Sequence, residues 1–184
     1  MKSTSLRKGM IIKHNDRFYR IVSMLHLTPG NLRAMVQTKL RDLDSGSMNE
    51  HRFRADEDVE RAHLDTQAME YLYQEGDLYH FMNTETYEQT HMRADELGDA
   101  IYYLVPNIMV PIEFIEGRAV GINLPVTVDL KVVETEPAMK GATAASQRKP
   151  AKTETGLIVQ VPPFVKEGET IRVSTDDGSY QERA

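Results

Sequence analysis

The sequence predicts a mainly β chain built as three small strand units in series. Three observations carry that expectation. Short runs rich in β-branched and aromatic residues recur along the 184 residues, each bounded by tight-turn residues. One segment only has convincing helical spacing. Charge is also divided by thirds: residues 1–62 hold 12 Lys and Arg against 8 Asp and Glu, residues 63–127 hold 2 against 11, and residues 128–184 hold 8 against 9. A basic first third joined to an acidic middle suggests units with different neighbours.

In chain order, "MIIKHND" and "RFYRIVSMLHL" read as two strands around a turn at His14-Asn15-Asp16. The Pro29-Gly30 pair suits a type II turn, because Pro presets φ and Gly accepts φ > 0. It leads to a third strand, "AMVQTKL", and a turn at Asp44-Ser45-Gly46 leads to a fourth, closing a β unit near Arg61. "MEYLYQEGDLYHFMN" is a hairpin turning at Glu75-Gly76-Asp77. The helical segment is "HMRADELGDAIYYL" (91–104), where Leu97, Ile101 and Leu104 recur at i, i+4 and i+7. Another hairpin turns at Glu116-Gly117. "VTVDLKVVETEP" opens the last unit, residues 138–156 read as a long loop of small and basic residues, and Asp177-Gly178 makes a final tight turn. Loops of that length inside a compact β unit are more often functional than not.

The absence of cysteine removes disulfides, thiolate zinc sites and a cysteine nucleophile. The six histidines lie 11 or more residues apart, so no paired-histidine metal motif exists. Neither a nucleophile elbow, a Walker A loop nor a dinucleotide fingerprint is present. The expectation is a chain with no catalytic residues, no metal and no cofactor. No apolar run approaches the ~18–20 residues needed to span a bilayer, and the first residues lack the apolar core of a signal peptide. A cytoplasmic protein with no membrane partner is expected.

Binding is better supported. Arg33, Lys39, Arg41, Arg52 and Arg54 fall on the first hairpin and its neighbours, which suits phosphate and sugar contact. Taken alone, such residues also serve as edge-strand charges that block aggregation, so both readings stand at this point.

The stretch "KPAKTETGLIVQVPPFVKEG" (149–168) resembles the signature of the bacterial translation elongation factor P family. That signature is Lys-x-Ala, four residues, Gly, then Val-x-Val-Pro, an apolar residue and a closing Gly. Lys149, Ala151, Gly156, Val159, Val161, Pro162, Val165 and Gly168 fill it in register. Residues 71–89 resemble the family's second-domain hairpin, residues 127–144 its entry into the third domain, and residues 27–40 align without a gap to its first-domain tip. The resemblance covers essentially residues 5–184.

The resemblance implies three β-barrel domains in an L-shaped, tRNA-like arrangement: residues 1–62 KOW/SH3-like, residues 63–127 OB-like and residues 128–184 OB-like. It implies a monomeric, non-enzymatic factor that binds the 70S ribosome between the P and E sites. Its role there is to relieve stalling at consecutive prolines by positioning the P-site peptidyl-tRNA. The first-domain tip, Pro29, Gly30, Asn31, Leu32 and Arg33, would contact that tRNA, with Lys39 and Arg41 as RNA backbone contacts. The third-domain loop, Gly141, Ala142 and Thr143 with Lys149, would meet the E-site mRNA codon. Two departures stand out. Asn31 occupies the tip position where the family usually carries a modified Lys or Arg, so no modification is expected there. Ala142 replaces the Asp of a frequent Gly-Asp-Thr motif. These departures keep open a divergent paralogue acting on other stalling sequences or as a ribosome-bound regulator.

Overall fold

The computed structural model describes residues 1–28, 30, 34–137 and 148–184. Its strands form three five-stranded antiparallel sheets, and the chain divides into two compact units, residues 1–64 and residues 65–184.

The first unit holds β1 (Ile11–His14), β2 (Arg17–Leu27), β3 (Met35–Asp42), β4 (Met48–Arg54) and the short β5 (Glu60–Arg61). The sheet order is β4-β3-β2-β1-β5, a meander whose last strand returns beside the first. The β1–β2 turn is dictated locally. His14 pairs with Arg17, so Asn15 and Asp16 form a two-residue loop with φ of 50° and 59°. Both values are positive, as a type I′ turn requires, and Asn and Asp tolerate them best after Gly. Alternation then sorts the strands: in β3, Val36, Thr38, Leu40 and Asp42 are buried while Lys39 is exposed. Leu6, Ile12, Ile21, Leu40, Phe53 and Val59 close the core.

The second unit holds two sheets. One comprises β6 (Asp65–Glu75), β7 (Leu78–Met82), β8 (Gln89–Arg93), β9 (Met109–Ile115) and β10 (Arg118–Ile122), ordered β10-β9-β6-β7-β8. The other comprises β11 (Thr127–Thr135), β12 (Lys149–Thr153), β13 (Ile158–Val161), β14 (Thr170–Ser174) and β15 (Tyr180–Arg183), ordered β13-β12-β11-β14-β15. Numbered within each sheet the order is the same, third-second-first-fourth-fifth, so one strand plan is used twice. The Glu116-Gly117 turn has φ of 50° and 81°, again a type I′ signature.

Two expectations are corrected. The segment 91–104 is not one helix. His91–Arg93 complete β8, Ala94–Leu97 form a single helical turn (α1), and Gly98–Tyr103 continue as a 3-10 helix. Gly98 sits at φ 57°, ψ −132°, a conformation that ends an α-helix and that side chains resist. The alternation exposed-buried-exposed at His91, Met92 and Arg93 is a strand period, and the three pair in register with His80, Tyr79 and Leu78 of β7. The expected loop 138–156 likewise ends early, because Lys149–Thr153 form β12. Pro150 is tolerated there because its register partner is Gln160 of β13, while β11 pairs with β12 only at residues 151–153.

Candidate functional site

The β2–β3 hairpin carries the expected tip. Its ladder runs from Tyr19 opposite Asp42 to Leu27 opposite Met35, with a bulge between Ile21 and Ser23, leaving residues 28–34 as the connection. Of the expected tip residues, Gly30 is exposed with φ 28°, on the positive side that Gly adopts without a Cβ penalty. Pro29, Asn31, Leu32 and Arg33 lie outside the described residues.

Pairing of β3 with β4 gathers the cations. Lys39 stands opposite Glu50, Arg41 opposite Met48, Gln37 opposite Arg52 and Met35 opposite Arg54. Positions two apart on a strand share a face, so Lys39, Arg41, Arg52 and Arg54 lie on one side of the sheet. Val36, Leu40 and Phe53 point into the core on the other. Glu50 is the one carboxylate among those paired positions. At the free edge of β4 a surface hollow of about 530 Å³ is lined by His51, Arg52, Arg54, Asp56 and Glu57. Asp56 and Glu57 balance the two guanidinium groups within the hollow, so it is the sheet face carrying Lys39, Arg41, Arg52 and Arg54 that suits anionic oxygens.

His51 does not add to that charge. Its ring lies 4.5 Å from that of His14 and 4.3 Å from that of Phe53, centroid to centroid. Burial pushes its pKa below the ordinary histidine value, and the neighbouring His14 lowers it further. This ring cluster joins β1 to β4 and was not foreseen from the sequence, since nothing local marks residues so far apart as neighbours.

In the third sheet, Lys149 occupies β12 with its side chain buried, and its ammonium donates to the Glu136 carbonyl. Thr135 Oγ1 donates to the Pro150 carbonyl at 2.9 Å, and Arg148 Nη1 to the Gln160 carbonyl at 3.4 Å. Lys149 therefore joins β11's exit to β12's start and is not presented on the surface. Gly141, Ala142 and Thr143 lie outside the described residues. Among the described residues no group of three His, Asp or Glu is placed to hold a metal ion, and no helix is long and apolar enough to cross a membrane.

A meandering five-stranded first sheet, a cationic face on its hairpin, and two sheets of one repeated strand plan define a KOW-like domain followed by OB-type domains. Family models agree in sequence. Residues 2–59 match "Elongation factor P (EF-P) KOW-like domain", residues 64–122 "Elongation factor P (EF-P) OB domain" and residues 128–183 "Elongation factor P, C-terminal". The chain is 57% identical over 182 residues to an elongation factor P of Acidobacterium capsulatum, covering 99% of this chain and 98% of that protein. It is 45% identical over 183 residues to one of Coprothermobacter proteolyticus, covering 100% and 98%. Among solved structures it is similar to a eukaryotic translation initiation factor 5A from Methanococcus jannaschii, with a TM-score of 0.47 and 19% identity over 65% of this chain and 90% of that one. The chain belongs to the elongation factor P family of translation elongation factors.

Proposed function

We propose that this chain binds the 70S ribosome between the P and E sites and speeds peptide-bond formation at consecutive prolines by positioning the P-site peptidyl-tRNA. The cationic face of the β2–β4 sheet is the observation that supports this reading most. Lys39, Arg41, Arg52 and Arg54 share a side of the hairpin whose far end is the 28–34 connection. A duplex arm of tRNA presents a regular row of phosphates to such a face, and phosphate contacts set register and orientation. Proline is a poor nucleophile, so holding both reactants in a reactive geometry lowers the entropic part of the barrier without any catalytic side chain. In this reading Pro29, Gly30, Asn31, Leu32 and Arg33 meet the tRNA end, and Asn31 works through its amide, with no modification. Gly141, Ala142 and Thr143 meet the E-site codon, and Lys149, buried, braces the end of β11 through the Glu136 carbonyl. We take the domain boundaries at 62/63 and 127/128, and the factor as a cytoplasmic monomer.

A second reading is favoured by Asn31 and Ala142, which depart from the family pattern. Here the chain is a divergent paralogue serving other stalling sequences. Ribosome profiling of a strain lacking the gene separates the two. The first reading expects new pauses at runs of proline. Pauses confined to other sequences would support the second instead.

A further inference from the structure

The second and third sheets share side chains to an extent that the family reading does not require. Tyr103, at the end of the 3-10 helix that follows α1, belongs by sequence to the middle domain. The residue is nonetheless only 7% exposed and belongs to the third sheet's core, with Val128, Leu130, Val132 and Ile171. Ile108 and Leu124 touch both cores. One polar contact sits beside this insertion, and others hold the β10–β11 connection to the third sheet. Thr155 Oγ1, in the β12–β13 turn, donates to the Tyr102 carbonyl at 2.6 Å. Thr175 Oγ1, just past β14, donates to the Pro125 carbonyl at 2.5 Å, and the Thr175 N–H donates to the Val126 carbonyl at 3.0 Å. Gly178, at φ 71°, lies so close that a Cβ there would sit 3.3 Å from the Tyr103 hydroxyl.

We infer that Tyr103 is a positioning residue: a latch that fixes the angle between the second and third sheets, so that the factor presents its third-domain loop at one set orientation. The ring acts by volume. A joint held only by the chain between β10 and β11 would be free to bend, and adjoining domains move relative to each other by default unless the interface is large and apolar. A side chain driven into the neighbouring core, with the Thr155 hydroxyl on the Tyr102 carbonyl beside it and the Thr175 hydroxyl holding the β10–β11 connection to the third sheet, removes that freedom because close-packed interiors do not deform continuously. The inference rests on the elongation-factor reading only for what the set orientation is used for. The latch itself is independent of it.

The native chain has no cysteine, so two can be introduced for spin labels at exposed positions: Thr84→Cys in the second sheet's β7–β8 loop and Glu167→Cys in the third sheet's β13–β14 loop. The inter-label distance distribution is measured in the full-length chain carrying Tyr103, Tyr103→Phe, Tyr103→Ala, or Thr155→Val with Thr175→Val. The last variant removes both threonine side-chain bonds without opening a cavity and so guards against misfolding of Tyr103→Ala. The same proteins are assayed for stimulation of a Pro-Pro-Pro reporter in reconstituted translation. The expected result is a narrow distribution for Tyr103 and Tyr103→Phe and a broadened one for Tyr103→Ala and the double Thr variant, with far-UV circular dichroism unchanged. The broadened variants should stimulate the reporter on the order of tenfold less or worse, since misplacement by about 1 Å can cost about 100-fold. A distribution that stays narrow in Tyr103→Ala and in the double Thr variant overturns the latch. Broadening with undiminished stimulation overturns its positioning role. A reporter that not even the native chain stimulates counts against the elongation-factor reading, and the distances then decide the latch alone.

Discussion

Arg17 and Asp42 tie the two ends of the tip hairpin together: Arg17 Nη1 lies 3.2 Å from Oδ2 of Asp42, whose carboxylate is 1% exposed. The other oxygen, Oδ1, accepts the N–H groups of Asp44 and Ser45 at 2.8 and 2.9 Å. One buried carboxylate thus organises the β3–β4 turn and anchors the base of β2. It is satisfied on all sides, which is the condition for a buried charge to be tolerated.

Asp42→Ala should therefore destabilise the protein by about 1–3 kcal/mol, the cost of losing hydrogen bonds to a charged acceptor that orders the β3–β4 turn. The carboxyl is held below the usual aspartate range, chiefly by the Ser45 N–H, with Asp44 and Arg17 adding to it and burial opposing. A depressed folded-state pKa gives stability that is present above the unfolded value near 3.8 and lost as pH falls through the folded one. Urea unfolding at pH 7 and again near pH 3 measures this. The gap between native and variant should be full at pH 7 and shrink at the acid end.

His51 gives a second acid window, separate from the first. Burial and His14 lower its folded pKa beneath the ordinary histidine value of 6.5, so protonation favours the unfolded chain. Stability should begin to fall as pH drops below about 6.5, well before Asp42 titrates. His51→Phe, which keeps a ring against Phe53 and His14, should flatten the melting temperature between pH 7 and pH 5. An unchanged slope would remove His51 from the account.

Lys39 and Lys149 should separate surface charge from support. Lys39 is exposed on the β3 face, and Lys149 is buried with its ammonium on the Glu136 carbonyl. If Lys39 meets a phosphate, Lys39→Ala should reduce the log–log salt slope of ribosome binding by about 0.7–0.9. Lys149→Met should leave that slope alone while lowering thermal stability. Binding measured across a salt series, beside thermal melts, distinguishes the two.

The tip should be chemically bare. Asn31 has no amine or guanidinium to extend, so the intact mass of the natively expressed protein should match the unmodified chain. Added mass mapping to residues 28–34 would contradict the proposed use of the Asn31 amide.

Much of the fold is legible in the sequence wherever the cause is local. The turns at Asn15-Asp16 and Glu116-Gly117 are written in residues that accept positive φ, and the buried-exposed alternation of β3 is visible in its side chains. Reading fails where two periods coincide. Leu97, Ile101 and Leu104 fit a helical stripe, yet tertiary pairing claims His91–Arg93 for β8 and Gly98 stops the turn. It also fails where a strand carries unlikely residues: Lys149-Pro150 reads as loop until β11 and β13 are in place to pair with β12. The site is harder still. The cations of the first sheet can be named in advance, but their shared face depends on the β3–β4 register. The His14–His51–Phe53 cluster and the Tyr103 insertion join positions that no sequence window contains.

The most direct test of the central claim is peptide-bond formation on a Pro-Pro-Pro message in a reconstituted system with the purified, unmodified chain. The native chain should accelerate the reporter and leave a proline-free message unaffected, and Asn31→Ala or Arg33→Ala should reduce the acceleration. Equal rates with and without the native chain on the proline message, or tip variants as active as the native chain, would contradict that claim.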